Sequence, residues 1–257
     1  MRDTLSCMRI VNSVPDNTRL TFVFLIAFFI RKAKPRVLYP PVSTEVEAFQ
    51  LKGGSSDSDA SFSELERFDL SAPFVVSLNR FEEKKDVELA IKAVARLPRQ
   101  IKCNLIVAGG FDPRLPECND YFQRLVKLSK ELNFRVLGCE DVVDTNTPAL
   151  DNSVPCEAMF VGCLPVACNT GGPRETIVDR ETGFLCPPTP ESFSAALKHI
   201  LLLSLENPEE LAALRSKAQI HATNRFSPDV FRRSLKAIIE DVTGPWDGSS
   251  SERPKKV

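Results

Sequence analysis

Apolar positions along the chain alternate between two periods. Phe74–Leu78 is a short, nearly continuous apolar run suited to a strand buried on both faces. Residues 86–97 then place Val87, Ala90, Ile91, Val94 and Leu97 on one helical face. A second strand is predicted at 105–108, closing on Gly109 and Gly110, and 121–132 is helical by period, with Phe122, Leu125, Leu128 and Leu132 on one side. Strands are predicted next at 135–137 and 141–143, separated only by Gly138, Cys139 and Glu140. A crossover between parallel strands needs about a dozen residues, so these two are not consecutive members of a complete β-α-β unit, and this stretch is shortened. After Glu157 the order resumes with a strand at 164–168, a helix from Pro173 and a short strand at Phe184 and Leu185. Helices follow at about 190–204, 207–224 and 227–241.

Strands alternating with helices predict an α/β fold, a Rossmann-like doubly wound parallel sheet, whose ligands sit beyond the carboxyl ends of the strands. The expected organisation is a segment 1–35 with little pattern beyond one apolar run, and a partly mobile linker 36–73 containing the polar tract from Gly53 to Asp59. A ligand-binding domain 74–242 and a disordered tail 243–257 follow.

The apolar run, residues 20–30 (LTFVFLIAFFI), has 11 residues and is followed at once by Arg31, Lys32, Lys34 and Arg36. A full membrane crossing needs about 20 apolar residues, and a secretory signal would want small residues where the basic cluster stands. Two readings stay open. If the run enters a bilayer, the basic cluster keeps the following domain cytoplasmic; otherwise it is a buried element of a preceding domain.

Composition narrows the function. The 257 residues are 43% hydrophobic and 26% charged, with 33 basic and 34 acidic side chains and a net charge of −1. Such a balance gives no field that would draw the chain onto nucleic acid. The eight cysteines are dispersed without a C-x-x-C pair, and only His199 and His221 could join them. No metal site is expected, and reduced, mostly buried thiols are the simpler account. Each histidine lies inside an amphipathic helix and is read as a surface or core-edge residue.

Candidate chemistry gathers at the predicted strand ends. Arg80 and Lys85 follow the first strand, one just after it and one opening the helix, where two cations five positions apart could grip a departing diphosphate; a solvated charged loop is the plainer reading. Glu157, expected to open a short helix, could accept two hydrogen bonds from a ribose diol, or serve only the helix dipole. Gly171 and Gly172 before Pro173 could aim backbone amides at an anion, or simply make a tight turn.

Together these residues, with Ala108-Gly109-Gly110 and the run Asn169-Thr170-Gly171-Gly172-Pro173-Arg174-Glu175, resemble the donor half of retaining GT-B glycosyltransferases of group 1. Val37-Leu38-Tyr39-Pro40-Pro41, the run 77–85, the run 105–112 and Arg225-Phe226-Ser227-Pro228 resemble, more narrowly, the eukaryotic α-1,3/1,6-mannosyltransferases of dolichol-linked oligosaccharide assembly. That resemblance implies GDP-mannose as donor and mannosyl-chitobiosyl-diphosphodolichol as acceptor, at the cytosolic face of the endoplasmic reticulum membrane. It further implies transfer with retention and without a metal or other cofactor, and other glycosyltransferases of the pathway as partners. In it Arg80 and Lys85 stabilise the GDP leaving group as catalytic residues, while Glu157, Gly171, Gly172, Gly109 and Asp151 line the donor site.

Three departures from the family pattern accompany the likeness. The family's other Rossmann-like domain is expected before residue 36, where 35 residues stand; the segment between Leu137 and Val142 is compressed; and Ala149 occupies the position eight before Glu157 where the family carries an acidic residue. Asp151 is the nearby carboxylate that could substitute. Little or no mannosyl transfer is therefore expected of this polypeptide alone. A UDP-sugar-dependent retaining transferase and a non-catalytic remnant that binds nucleotide or partner subunits are the alternatives.

Overall fold

The computed structural model describes residues 10–11, 38–42, 71–109, 114–136 and 154–243. Its strands are β1 (Ile10–Val11), β2 (Phe74–Leu78), β3 (Asn104–Ala108), β4 (Val166–Cys168) and β5 (Phe184–Cys186). The helices are α1 (Val87–Ala95), α2 (Pro116–Glu131), α3 (Val154–Phe160), α4 (Pro173–Thr176), α5 (Pro190–Glu206), α6 (Pro208–Phe226) and α7 (Pro228–Thr243). Every described ladder is parallel: β2 pairs β3 from Phe74 opposite Asn104 to Leu78 opposite Ala108, and β4 lies between β1 and β5. An α/β, Rossmann-like architecture results, as parallel strands joined through helices require.

Burial explains the pattern. Val75, Leu89, Ala93, Val166, Phe184 and Phe193 belong to one cluster that spans both ladders and joins α1 and α5 to the strands. A second cluster, with Phe81, Val87, Ile91, Tyr121 and Leu125, fastens α1 to α2. In the third, Val42 of the segment 38–42 meets Met159 and Phe160 of α3 and Ala218 and Ala222 of α6. The alanines let these helices approach closely.

Several elements differ from the sequence expectation. α2 begins at Pro116, five residues earlier than its apolar period suggests, because proline's fixed φ suits the first helical position. Arg135 and Val136 are irregular chain rather than strand, and Leu137 together with the strand expected at 141–143 lies outside the described residues. Thr243, placed with the tail by its composition, is the last residue of α7. The apolar run 20–30 also lies outside the described residues, among which no helix is long and apolar enough to cross a membrane.

Cys118, Cys156, Cys168 and Cys186 are buried, Cys103 is half-buried and Cys163 is exposed, all as free thiols. Burial is the leading reason that the Cys103, Cys168 and Cys186 thiols are pushed up to about 11. His199 is exposed and lies edge-on to Phe184, with ring centroids 5.6 Å apart.

Local caps fix the helix starts. Asn207 accepts the Glu210 amide at 3.3 Å and donates to its carboxylate at 2.9 Å, so both members of the pair are satisfied at the head of α6. Asn207→Ala is expected to lower stability by about 1 kcal/mol, read as a shift in the urea midpoint.

Candidate functional site

β2 ends at Leu78, but the Asn79 amide still donates to Ala108 O at 3.0 Å, so Arg80 stands one residue past the ladder. Gly109 lies against that exit. A Cβ at 109 would fall 1.4 Å from Asn79 O and 2.5 Å from its carbonyl carbon, so the approach of the two backbones requires glycine there, whatever lies beyond.

From Arg80 the chain turns into a 3₁₀ segment, Glu83–Lys85. Asp86 then adopts the left-handed conformation, φ 43° and ψ 52°, which breaks the helical path before Val87. Lys85 therefore closes the 3₁₀ turn instead of opening α1. The Val87 amide donates to the buried Tyr121 hydroxyl at 2.9 Å, which pins this corner to α2. Arg124 of α2 adds ion pairs to Glu83 and Glu88 at 2.9 Å each. The Lys92 hydrogen bond, helped by the Lys92 and Arg124 charges, holds the Glu88 carboxyl below its ordinary range against the opposing effect of burial. At the rim itself, Arg80 Nη1 lies 3.9 Å from Glu82 Oε1, and Lys84 Nζ 2.8 Å from Glu82 Oε2.

β4 ends at Cys168, and the Asn169 amide donates to Cys186 O at 2.9 Å. Gly171 has φ +56°, the region that favours glycine, whereas Gly172 is helical at φ −52° and faces open space, with nothing within 4 Å of an added Cβ. The Arg174 and Glu175 amides donate back to Gly171 O and Gly172 O at 3.2 and 3.0 Å, closing the turn ahead of the single-turn α4.

The Asp86 charge adds to burial in raising the Cys168 thiol.

Glu157 sits on α3, which packs against α4 and α6. It is the fourth residue of that helix, not its opening one, because helical geometry already begins at Val154. Cys156, Met159 and Phe160 form the stripe that meets α6, and Glu157 is turned about 100° from Cys156 around the helix. At 5% exposure it is the only charged residue that is buried among the described residues. A carboxylate withdrawn from water calls for donors around it.

Arg80, Lys85 and Gly109 thus gather at the β2–β3 rim, Gly171 and Gly172 at the β4 rim, and Glu157 on the helix beside the latter. Asp151 lies outside the described residues. Among the described residues no group of three or more His, Cys, Asp or Glu could hold a metal ion. Sequence reasoning passed over Asp86, read as part of the helix, and Tyr121, read only as the start of α2. A signal for Tyr121 existed: a hydroxyl on an apolar helix face must find a partner when buried.

The chain belongs to the glycosyl transferases group 1 family, whose family model matches residues 60–136 and 153–221. The interruption at 137–152 falls where the sequence leads one to expect a shortened stretch. Within that class the chain is similar to the alpha-1,3/1,6-mannosyltransferase ALG2 of Mus musculus, at 32% identity over 187 residues, covering 64% of this chain and 44% of the mouse protein. It is 27% identical over 260 residues to that of Rhizomucor pusillus, covering 84% of this chain and 55% of the relative. The chain therefore spans about half the length of these relatives. Among solved structures, sucrose-phosphate synthase (tll1590) of Thermosynechococcus elongatus superposes with a TM-score of 0.59 at 19% identity, covering 90% of this chain and 57% of that one. Anabaena Alr3699/HepE, in complex with UDP and glucose, superposes with a TM-score of 0.55 at 20% identity, covering 90% and 71%. These two likenesses establish the GT-B type of fold.

Proposed function

We propose that the chain is the donor-binding part of a retaining mannosyltransferase that uses GDP-mannose and a dolichol-linked acceptor, mannosyl-chitobiosyl-diphosphodolichol, in N-glycan precursor assembly. The place of action is the cytosolic face of the endoplasmic reticulum membrane. The observation that carries this reading is Glu157, a buried carboxylate on the helix beside the Gly171–Gly172 turn. In this scheme Glu157 accepts from the ribose diol, the glycine turn presents amides to the diphosphate, and Arg80 and Lys85 offset the charge that builds on GDP as the glycosidic bond breaks. Similarity to proteins named alpha-1,3/1,6-mannosyltransferase supports mannose as the sugar.

GDP binding is expected from the purified chain. Calorimetric titration with GDP, UDP and ADP, run with and without a chelator, tests donor choice and metal independence together. Incubation with labelled GDP-mannose and a lipid-linked acceptor analogue tests transfer. Saturable GDP binding that outcompetes UDP supports the reading; preference for UDP replaces the donor, and no nucleotide binding removes the reading.

A second reading is a non-catalytic nucleotide- or partner-binding protein. The gap in the family match at 137–152, which contains Ala149 in place of the family's acidic residue, favours it. GDP binding without transfer, even when the half of a relative that this chain does not match is supplied as a separate chain, is its signature.

A further inference from the structure

Residues 38–42 and the last two turns of α6 form a bracket around the segment that follows the glycine turn. Val42, 2% exposed, donates its amide to Phe226 O at 2.8 Å. The Tyr39 ring stands edge-on to Phe226 at 5.6 Å, and the Arg225 guanidinium lies 5.4 Å from the centroid of each ring. Two groups reach from this bracket to α4. His221 Nε2 meets Thr176 O at 3.0 Å, and the Tyr39 hydroxyl donates to Glu175 Oε2 at a longer 3.5 Å. The same bracket closes over α3, since Phe226, Ala222 and Val42 pack with Cys156, Met159 and Phe160. One unit therefore holds both the helix that carries Glu157 and the turn that carries Gly171 and Gly172.

α4 has four residues, and a single helical turn does not sustain itself in water. Its conformation must be imposed by its neighbours. Thr176 is its last residue, with a carbonyl that lies among those no amide within the helix can reach. His221 supplies a partner for that carbonyl from another element.

We infer that His221, assisted by Tyr39, is a positioning residue for the donor turn: the bracket sets Gly171 and Gly172 against α3 before a ligand arrives, and so raises affinity for the diphosphate. This rests on the nucleotide reading above. Neither side chain contacts the ligand in the scheme. The gain comes from preorganisation, because a turn already in place loses less freedom on binding.

His221→Phe keeps a ring to lie against Phe226 while deleting the donor, and Tyr39→Phe deletes one hydroxyl. Without nucleotide, amide exchange at Glu175 and Ile177, which donate to Gly172 O and Pro173 O at 3.0 and 2.9 Å, should accelerate in His221→Phe. An increase of about three- to tenfold is expected, the range for one hydrogen bond, with a smaller one in Tyr39→Phe. GDP affinity should fall by a similar factor while affinity for GMP, which offers the turn no second phosphate, stays unchanged. Leu211→Ala controls for lost stability, because Leu211 is buried on α6 about 15 Å along the helix from His221, and it should leave the GDP-to-GMP ratio unmoved. Faster exchange in a protein that binds neither nucleotide supports the bracket and removes the ligand reading. Unchanged exchange in His221→Phe, or a GDP-to-GMP ratio no different from that of the parent, overturns the inference.

Discussion

Replacing Arg80 and Lys85 together by alanine should weaken GDP binding by about 2–4 kcal/mol, a factor of roughly 30 to 1,000, the range for losing charge-assisted hydrogen bonds to a diphosphate. Both residues lie on the chain leaving β2, Arg80 just past the ladder and Lys85 at the end of the 3₁₀ turn that Tyr121 and Arg124 fasten to α2. That fastening matters because a cation on a mobile loop would lose entropy on binding, whereas one on a braced corner is already near its ligand. Lys84 is the control. Its side chain is 75% exposed and paired with Glu82, so Lys84→Ala should change affinity by no more than about twofold. Isothermal titration measures both variants and the parent. Equal affinities for the double variant and the parent would take the diphosphate role away from both residues.

Gly109→Ala should cost at least about 3 kcal/mol of stability, at the upper end for overpacking, and shift the urea midpoint down by more than about 1 M. The clash is with backbone and not with a movable side chain: the new carbon would stand 1.4 Å from Asn79 O. Relief demands that β2 and β3 part at their carboxyl ends, where Leu78 pairs with Ala108 and the Asn79 amide meets Ala108 O. Arg80 is the next residue, so GDP affinity should fall along with stability. Gly172→Ala is the contrast. Open space surrounds residue 172 and its φ is helical, so the protein should stay as stable as its parent within about 0.5 kcal/mol. A midpoint for Gly109→Ala equal to the parent's would show that the two strand ends are further apart than described.

What the sequence made legible was set by period and by glycine. β2, α1 and the three C-terminal helices follow from apolar spacing, because burial on one face selects the residues and their repeat together. The strand ends were equally readable, since Gly109 and Gly171 sit where the chain must turn. Less visible were the contacts between distant segments. No local pattern ties His221 to Thr176, or Val87 to Tyr121, and each pair exists only because separate elements pack. Glu157 shows the middle case: its residue type and neighbourhood marked it out, but its position inside α3, and its burial, depend on α6 covering the adjacent face. Lys85 fails for a smaller reason, a single left-handed residue that stops one helix and starts another.

Proline stands first in α2, α4, α5, α6 and α7. For the last three this has an architectural effect. Asn207 and Ser227 alone separate α5, α6 and α7, and without the missing amides of Pro208 and Pro228 the polypeptide 190–243 could run as one rod about 80 Å long. The prolines make both elbows permanent. They keep the run from continuing as that rod, so that the corner after Phe226 arrives at the same spot in every copy of the molecule.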